Sequence, residues 1–295
     1  MIGENIRPRI REFWVEFRRD KAGLVGVGLL ALFLFLLAFE PLVVPFPEGS
    51  KRWHDITYWV DNPPSAAPAW TNWFRAKKGA VQRIVRGYES ETDESDGVRF
   101  VHRSFRYEYA YDQPPLDVIL RFTATGDIPT SLTVTRPDGL ELELFRAQFT
   151  AGDQEHVRIS VDRDAQDAAY AFLKEYESEE TAGAIDIGQL DPTSVVFAEA
   201  GSGMNAEPVS LHGTYVFTLS TLLLGEDRAA EDPYLIISGR VSGLLGTDNS
   251  KRDLWTGIVA GVKWALLIGL LTAFVSVSVG VIAGIASAYY RGWVE

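Results

Sequence analysis

Two blocks of apolar residues bracket the chain, and everything between them alternates or is charged. Residues 22–39, AGLVGVGLLALFLFLLAF, contain no charge. About 18 helical residues at ~1.5 Å each cover most of a ~30 Å hydrocarbon core. Residues 264–290 are also uncharged until Arg291, and as a helix of ~40 Å they would cross with some tilt. The pattern therefore predicts two transmembrane helices. The first block could serve as a secretory signal by length, but a long basic stretch precedes it and FEPLVVPFPEG offers no small-x-small cleavage site, which favours an uncleaved anchor.

From residue 98 the period changes to two, the mark of half-buried strands. VRFVHRSFRYEYAY, LDVILRFTAT, SLTVTRPDGLELELF, HVRISV, TYVFTLSTLLL and YLIISGRV all alternate. In LTVTRPDGLELEL two such runs flank Pro137-Asp138-Gly139, which is hairpin chemistry. One helical period interrupts them in DAQDAAYAFLKEYESEE, where Ala165, Ala169, Phe172, Leu173 and Tyr176 share a face. The expected class is an α+β membrane protein, with two transmembrane helices flanking an antiparallel, sandwich-like β domain that carries one inserted helix. The expected divisions are a basic segment 1–21, a span 22–45, a Pro/Trp-rich and acidic connection 46–97, a β-rich domain 98–245, a polar motif 246–255, a span 256–290 and a terminal turn 291–295. Within the connection, ESETDESDG at 89–97 reads as an acidic loop. Trp53, Trp59, Trp70 and Trp73 suit either a membrane interface or packing against the domain.

Charge then sets orientation. Arg7, Arg9, Arg11, Arg18, Arg19 and Lys21 precede the first block and Arg291 follows the second. Basic flanks stay on the cytoplasmic side, so both termini are expected there and the intervening domain outside the cytoplasm. Of 28 basic and 40 acidic residues, positions 1–21 take six and four, and Lys263, Arg291 and Glu295 belong to the second span. That leaves 20 basic and 35 acidic residues between the spans, a net −15 that should repel nucleic acid and anionic lipid alike. With no cysteine, the domain has to be held by its own core.

Candidate chemistry is sparse. His54, His102, His156 and His212 lack metal-site spacing, and Asp162, Asp164 and Asp167 resemble the start of a calcium loop without its glycine or closing glutamate. The same three acids suit the first turn of the inserted helix. No phosphate loop, nucleophile elbow or paired carboxylates stand out, so no enzymatic activity, metal or cofactor is expected.

One polar motif remains, GLLGTDNSKRDLW at 243–255, directly before the second apolar block. Here the chain resembles the second (C-type) permease subunits of ATP-binding-cassette (ABC) importers for dipeptides, oligopeptides and nickel. Gly246, Thr247, Asp248, Arg252 and Asp253 match the family's Gly-Thr-Asp-x-x-Gly-Arg-Asp signature, with Lys251 in place of its glycine. LWTGIVAGVKWALLIG, GIASAYYRGWVE and the opening FWVEFRRDKAGLVGVGLLAL resemble the family's corresponding stretches, and NPPSAAPAWTNWF resembles members with a large outward insertion. The resemblance implies a multi-pass permease of the cytoplasmic (inner) membrane. Its implied partners are a second permease subunit, ATP-binding subunits, an extracytoplasmic solute-binding protein and the lipid bilayer. Family members continue with further spans and an ATPase-docking loop, which AEAG at 198–201 does not replace. The chain is thus expected to be the N-terminal part of such a permease, docking the ATPase through regions beyond it. At the motif, Asp253 could cap the following helix and an Asp–Arg bridge could lock the loop, with or without a part in transport. Thr272, Ser276, Gly280, Gly284 and Ala288 form a small-residue stripe suited to helix packing. The alternative is a bitopic protein whose β-sandwich binds or senses and whose spans are anchors.

Overall fold

A computed structural model of the chain describes residues 14–289 except 16, 96–97, 151–153, 178–182, 184, 202, 205–207 and 225–226. The terminal turn expected at 291–295 and most of the basic segment 1–21 lie outside the described residues. The chain forms two compact units, one from residues 1–54 with 254–295 and the other from 55–253.

The first unit is helical. Helix α1 (Lys21–Ala38) starts where the Asp20 carboxylate accepts from Ala22 N. A second long helix of this unit, α3 below, spans Leu254–Tyr289, 36 residues. Both are apolar enough to cross a membrane and almost wholly unburied within the protein, as expected of helices whose solvent is lipid. They pack together through Leu36, Val259 and Val262, joined by Val44 from the chain after α1. Trp255 Nε1 donates to Val43 O at 2.9 Å, fixing the start of α3 to the chain after α1.

The second unit is a β-sandwich. One sheet orders its strands β1 (Arg83–Val85), β9 (Ala229–Ser238), β4 (Asp117–Thr125) and β7 (Gln154–Arg158). The other orders β2 (Glu89–Ser95), β3 (Val98–Tyr109), β8 (Gly213–Leu224), β5 (Ile128–Thr135) and β6 (Glu141–Phe149). All pairings between these strands are antiparallel. Strand β8 alternates strictly, burying Tyr215, Phe217, Leu219, Thr221 and Leu223. Opposite it β3 buries Val101, Phe105, Tyr107 and Tyr109. These side chains meet Leu120 and Phe122 of β4 in one core, whose transfer out of water is the main stabilising term. Helix α2 (Arg163–Tyr176) covers the core with Ala165, Ala169, Phe172 and Leu173, and the Asp162 carboxylate caps it at Ala165 N.

The structure corrects three expectations. The acidic run 89–95 is a strand, not a loop, paired with β3 from Glu89–Ser104 to Ser95–Val98. It occupies a sheet edge, where charge on both faces is tolerated and discourages further pairing. The β domain therefore starts before residue 98, at Arg83, and the compact unit takes in 55–253, including part of the expected connection and most of the signature. The helix also stops at Tyr176. Glu177 leaves helical geometry and turns its buried carboxylate onto Gly203 N and Met204 N.

The Pro-Asp-Gly hairpin forms as expected, with Gly139 at φ +83°. Arg136, at its base, has a fully buried side chain. Its guanidinium donates to the carbonyls of Val195, Val196 and Ala198 at 3.1, 2.9 and 2.6 Å, pairs with Asp138 at 2.8 Å, and lies over the Phe172 ring.

Candidate functional site: the signature clasp

The chain enters the β unit along residues 60–68 and leaves it along 241–253, and these two stretches are bound to each other. Ala67 bridges Val241 in parallel, Ser242 N donates to Ala67 O, and Ala69 N donates to Gly243 O. The signature then closes on the Pro-rich entry. Thr247 N donates to Ala66 O at 3.0 Å, while its hydroxyl accepts from Ala66 N at 2.9 Å and donates to Pro63 O at 2.6 Å. Ser65 N donates to Asp248 O, Asn62 Nδ2 to Lys251 O, and Lys251 Nζ to Val60 O. Gly246 is dictated by this contact. At φ +79°, a Cβ there would stand 2.2 Å from Ala66 O, closer than any side chain can approach.

Within the signature, Asp248 and Arg252 tie residues 248–252 into a ring. The Asp248 carboxylate accepts from Arg252 N at 2.9 Å and Nε at 2.7 Å, and Asp248 N donates to Arg252 O. Burial works to raise the Asp248 carboxyl, but the Arg252 hydrogen bonds hold it below the usual carboxylate range. The expected Asp–Arg lock is thus Asp248–Arg252. Lys251 sits at the turn with φ +65°, the left-handed region that suits glycine, so the family's glycine position coincides with the backbone's need for one. Lys251 tolerates it while donating to Val60 O, and burial lowers the ammonium from its ordinary value. Asp253 pairs with Thr247 in an antiparallel bridge, is 1 % exposed, and immediately precedes α3.

An ion-pair group beneath the clasp was not singled out in the sequence. Arg121 on β4 forks onto Asp61 at 2.6 and 3.1 Å, and Arg158 at the end of β7 pairs with Asp117 at 2.8 Å while donating to Val60 O. These bonds anchor the entry segment to the sheet. Burial raises the Asp117 carboxyl, opposed by Ser160 N and Arg158. The partners lie 41 and 60 positions apart, so no local pattern announces them.

Of the remaining candidates, those in the β unit are not brought together with the clasp. Thr272, Ser276, Gly280, Gly284 and Ala288 lie exposed on α3, and a Cβ at Gly280 or Gly284 would meet nothing within 4 Å. Asp162 is a helix cap and the Asp164 carboxylate accepts from Arg146 N, away from any shared centre. His102 Nδ1 meets Ser220 Oγ across β3 and β8, and His212 Nε2 donates to Tyr111 O. No cluster of three or more potential metal ligands occurs among the described residues. Elsewhere in the β unit lies an open cleft of about 850 Å³, lined by Lys77, Asp112, Gln113, Ser194, Glu199, His212 and Arg240 among others. It draws on stretches of the chain that are far apart in sequence and has no sequence signature.

Residues 9–64 match the family described as the N-terminal TM domain of oligopeptide transport permease C. Over 48 residues the chain is 52% identical to proteins of Brucella suis biovar 1 and Brucella abortus biovar 1 named as peptide transport system permeases. The match covers 16% of this chain and 16% of each relative, so the chain spans about a sixth of the length of the curated relatives it matches. Among solved structures, a carbohydrate-binding module, TmCBM61, with β-1,4-galactotriose is 10% identical at a TM-score of 0.19, covering 54% of this chain and 79% of that one. A structure of carbohydrate-binding modules from the β-sandwich superfamily is 7% identical at 0.23, covering 60% and 61%. Likenesses at these scores support no statement about the domain. The two apolar helices and the family match place the chain in a membrane. At its N-terminal end, over residues 9–64, it is similar to the permease subunits of ABC peptide transporters of the oligopeptide C type.

Proposed function

We propose that the chain is the N-terminal part of the second permease subunit of an ABC importer for peptides or related small solutes. Residues 46–250 lie outside the cytoplasm on this reading, and the chain performs no enzymatic chemistry itself. The observation that supports it most is the match over 9–64 in a chain whose second apolar helix is introduced by a Gly-Thr-Asp…Arg-Asp clasp. In this role the clasp is a positioning device. It fixes the polypeptide just before α3, and Asp253 caps that helix, where a carboxylate complements the helix dipole. The stripe Thr272, Ser276, Gly280, Gly284 and Ala288 packs against further spans or the sister permease, since close backbone approach drives helix pairing in lipid. ATP-binding subunits and a solute-binding protein complete the assembly.

Deleting the coding sequence and following uptake of a labelled tripeptide tests this. Uptake should fall to background and return with the gene, and the tagged full-length protein should co-purify with an ATP-binding subunit. Unchanged uptake with no ATPase in the purified sample overturns it. A second reading, a membrane-anchored binding module, draws support from the 850 Å³ cleft in a self-contained sandwich. It is favoured if a solute binds the purified chain while transport is unaffected.

A further inference from the structure

Residues 69–78 form a tip that displays apolar and basic side chains to solvent. Trp73 is 82 % and Phe74 81 % exposed, the highest values for large apolar residues in the β unit. Beside them are Trp70, at 42 %, and Leu244, at 52 %. The next residues are Arg75, Lys77 and Lys78, all exposed, and none forms an ion pair among the described residues. Asp112, whose carboxylate accepts from Lys78 N, and Glu199 share the 850 Å³ cleft with Ala76 and Lys77.

The tip is built rather than slack. Asn72 is buried and clamps its base, with Nδ2 donating to Gly79 O at 2.9 Å and Oδ1 accepting from Gly79 N at 3.1 Å. Trp70 Nε1 donates to Leu244 O at 2.9 Å, and Thr71 Oγ1 to Pro68 O. Such a frame leaves little conformational entropy to lose on docking. By contrast Trp59, 14 positions earlier, is 1 % exposed and belongs to the fold. The tryptophans of this region therefore divide between packing and display.

We propose that this tip is a bilayer-docking surface, with Trp73 and Phe74 seated at the interface and Arg75, Lys77 and Lys78 on anionic lipid headgroups. Aromatic side chains favour the headgroup level, and each nearby cation adds attraction to an anionic surface. The unit's net negative charge does not prevent contact, because most of it lies away from the tip. Beyond about 8 Å exposed charges are screened at physiological salt, so a local cluster of three cations decides contact. Affinity can be low, because both ends of the unit run into apolar helices and tethering raises the local concentration of bilayer. The inference needs only those membrane tethers, not the side of the membrane or the transport role.

The cysteine-free chain makes a direct test possible. Ala76→Cys in the full-length protein, spin-labelled and reconstituted into vesicles of phosphatidylcholine with 30% phosphatidylglycerol, reports the tip; Glu91→Cys on the edge strand β2 is the control. The label at 76 is expected to be accessible to oxygen and several-fold protected from a water-soluble nickel chelate relative to 91. Adding R75E/K77E/K78E should return it to water in the anionic vesicles. Nickel accessibility at 76 equal to that at 91 overturns the proposal. Protection from both reagents also overturns it, because that marks a protein contact, and protection untouched by the triple charge reversal removes the headgroup assignment.

Discussion

Replacing Thr247 by Val isolates what holds the clasp shut. The hydroxyl makes two buried hydrogen bonds, from Ala66 N at 2.9 Å and to Pro63 O at 2.6 Å, on a residue 5 % exposed. Valine keeps the shape and one methyl more, but leaves a buried donor and a buried acceptor unpaired. Each such loss costs about 1–3 kcal/mol, and the added methyl returns about 0.8 kcal/mol at most. The net is about 1–5 kcal/mol, which is about 5- to 4,000-fold in the opening equilibrium of the entry segment. Amide hydrogen exchange of the full-length chain reads this directly. Residues 62–68 should exchange faster by that factor while β8 is unchanged, because the sheets do not need to open with the clasp. Thr247→Ser, which retains the oxygen, should stay close to the parent. If Val leaves exchange at 62–68 unchanged, or Ser is as damaging as Val, the hydroxyl is not what closes the loop.

Five further outcomes are expected. Lys251→Ala should destabilise the clasp more than Lys251→Gly, since both lose the bond to Val60 O but only Gly is free of the roughly 1 kcal/mol cost of φ +65°; paired thermal melts decide the order. Arg136→Met strips buried carbonyls and Asp138 of their partner and should lower unfolding stability by about 3–5 kcal/mol; a melting point within a degree of the parent refutes it. Asp138 and Asp248 each face burial, which raises a carboxyl, yet are held by arginine below the ordinary 3.8. Their contribution is present above pH 3.8 and is lost as pH falls through the lower folded values. Asn replacement at both positions should therefore flatten the acid limb of a stability–pH curve. For topology, an alkaline phosphatase fused after Thr150 should be active in cells, and Gly284→Leu should insert normally yet fail to co-purify with partner subunits.

Much of the architecture was legible because burial acts on short windows. The alternation in β8, the Pro-Asp-Gly turn and the Asp162-capped helix each express a local rule that tertiary structure did not override. Strand β2 was hidden because an edge strand is selected by the backbone needs of β3 rather than by its own side chains, and Glu89–Ser95 shows only acids and hydroxyls. The signature could be recognised as a motif, but the left-handed turn at Lys251 emerged only with the structure. The signature's receptor could not be recognised. Thr247 and Pro63 are 184 positions apart, and nothing in either stretch names the other. The aromatic tip was legible in composition, but only the clamp of Asn72 on Gly79 separates Trp73 from the buried Trp59.

The bonded entry and exit of the β unit also bear on how such a chain could have arisen. Because residues 60–68 and 241–253 are zipped together, a host that once joined its helices by a short loop would meet the same closely spaced pair of ends whether or not a sandwich were present. The sandwich is in that sense carried on a closed stem. A chain whose residues 70–240 are replaced by a short linker should therefore still close its stem, provided Gly246, Thr247 and the Asp248–Arg252 ring remain.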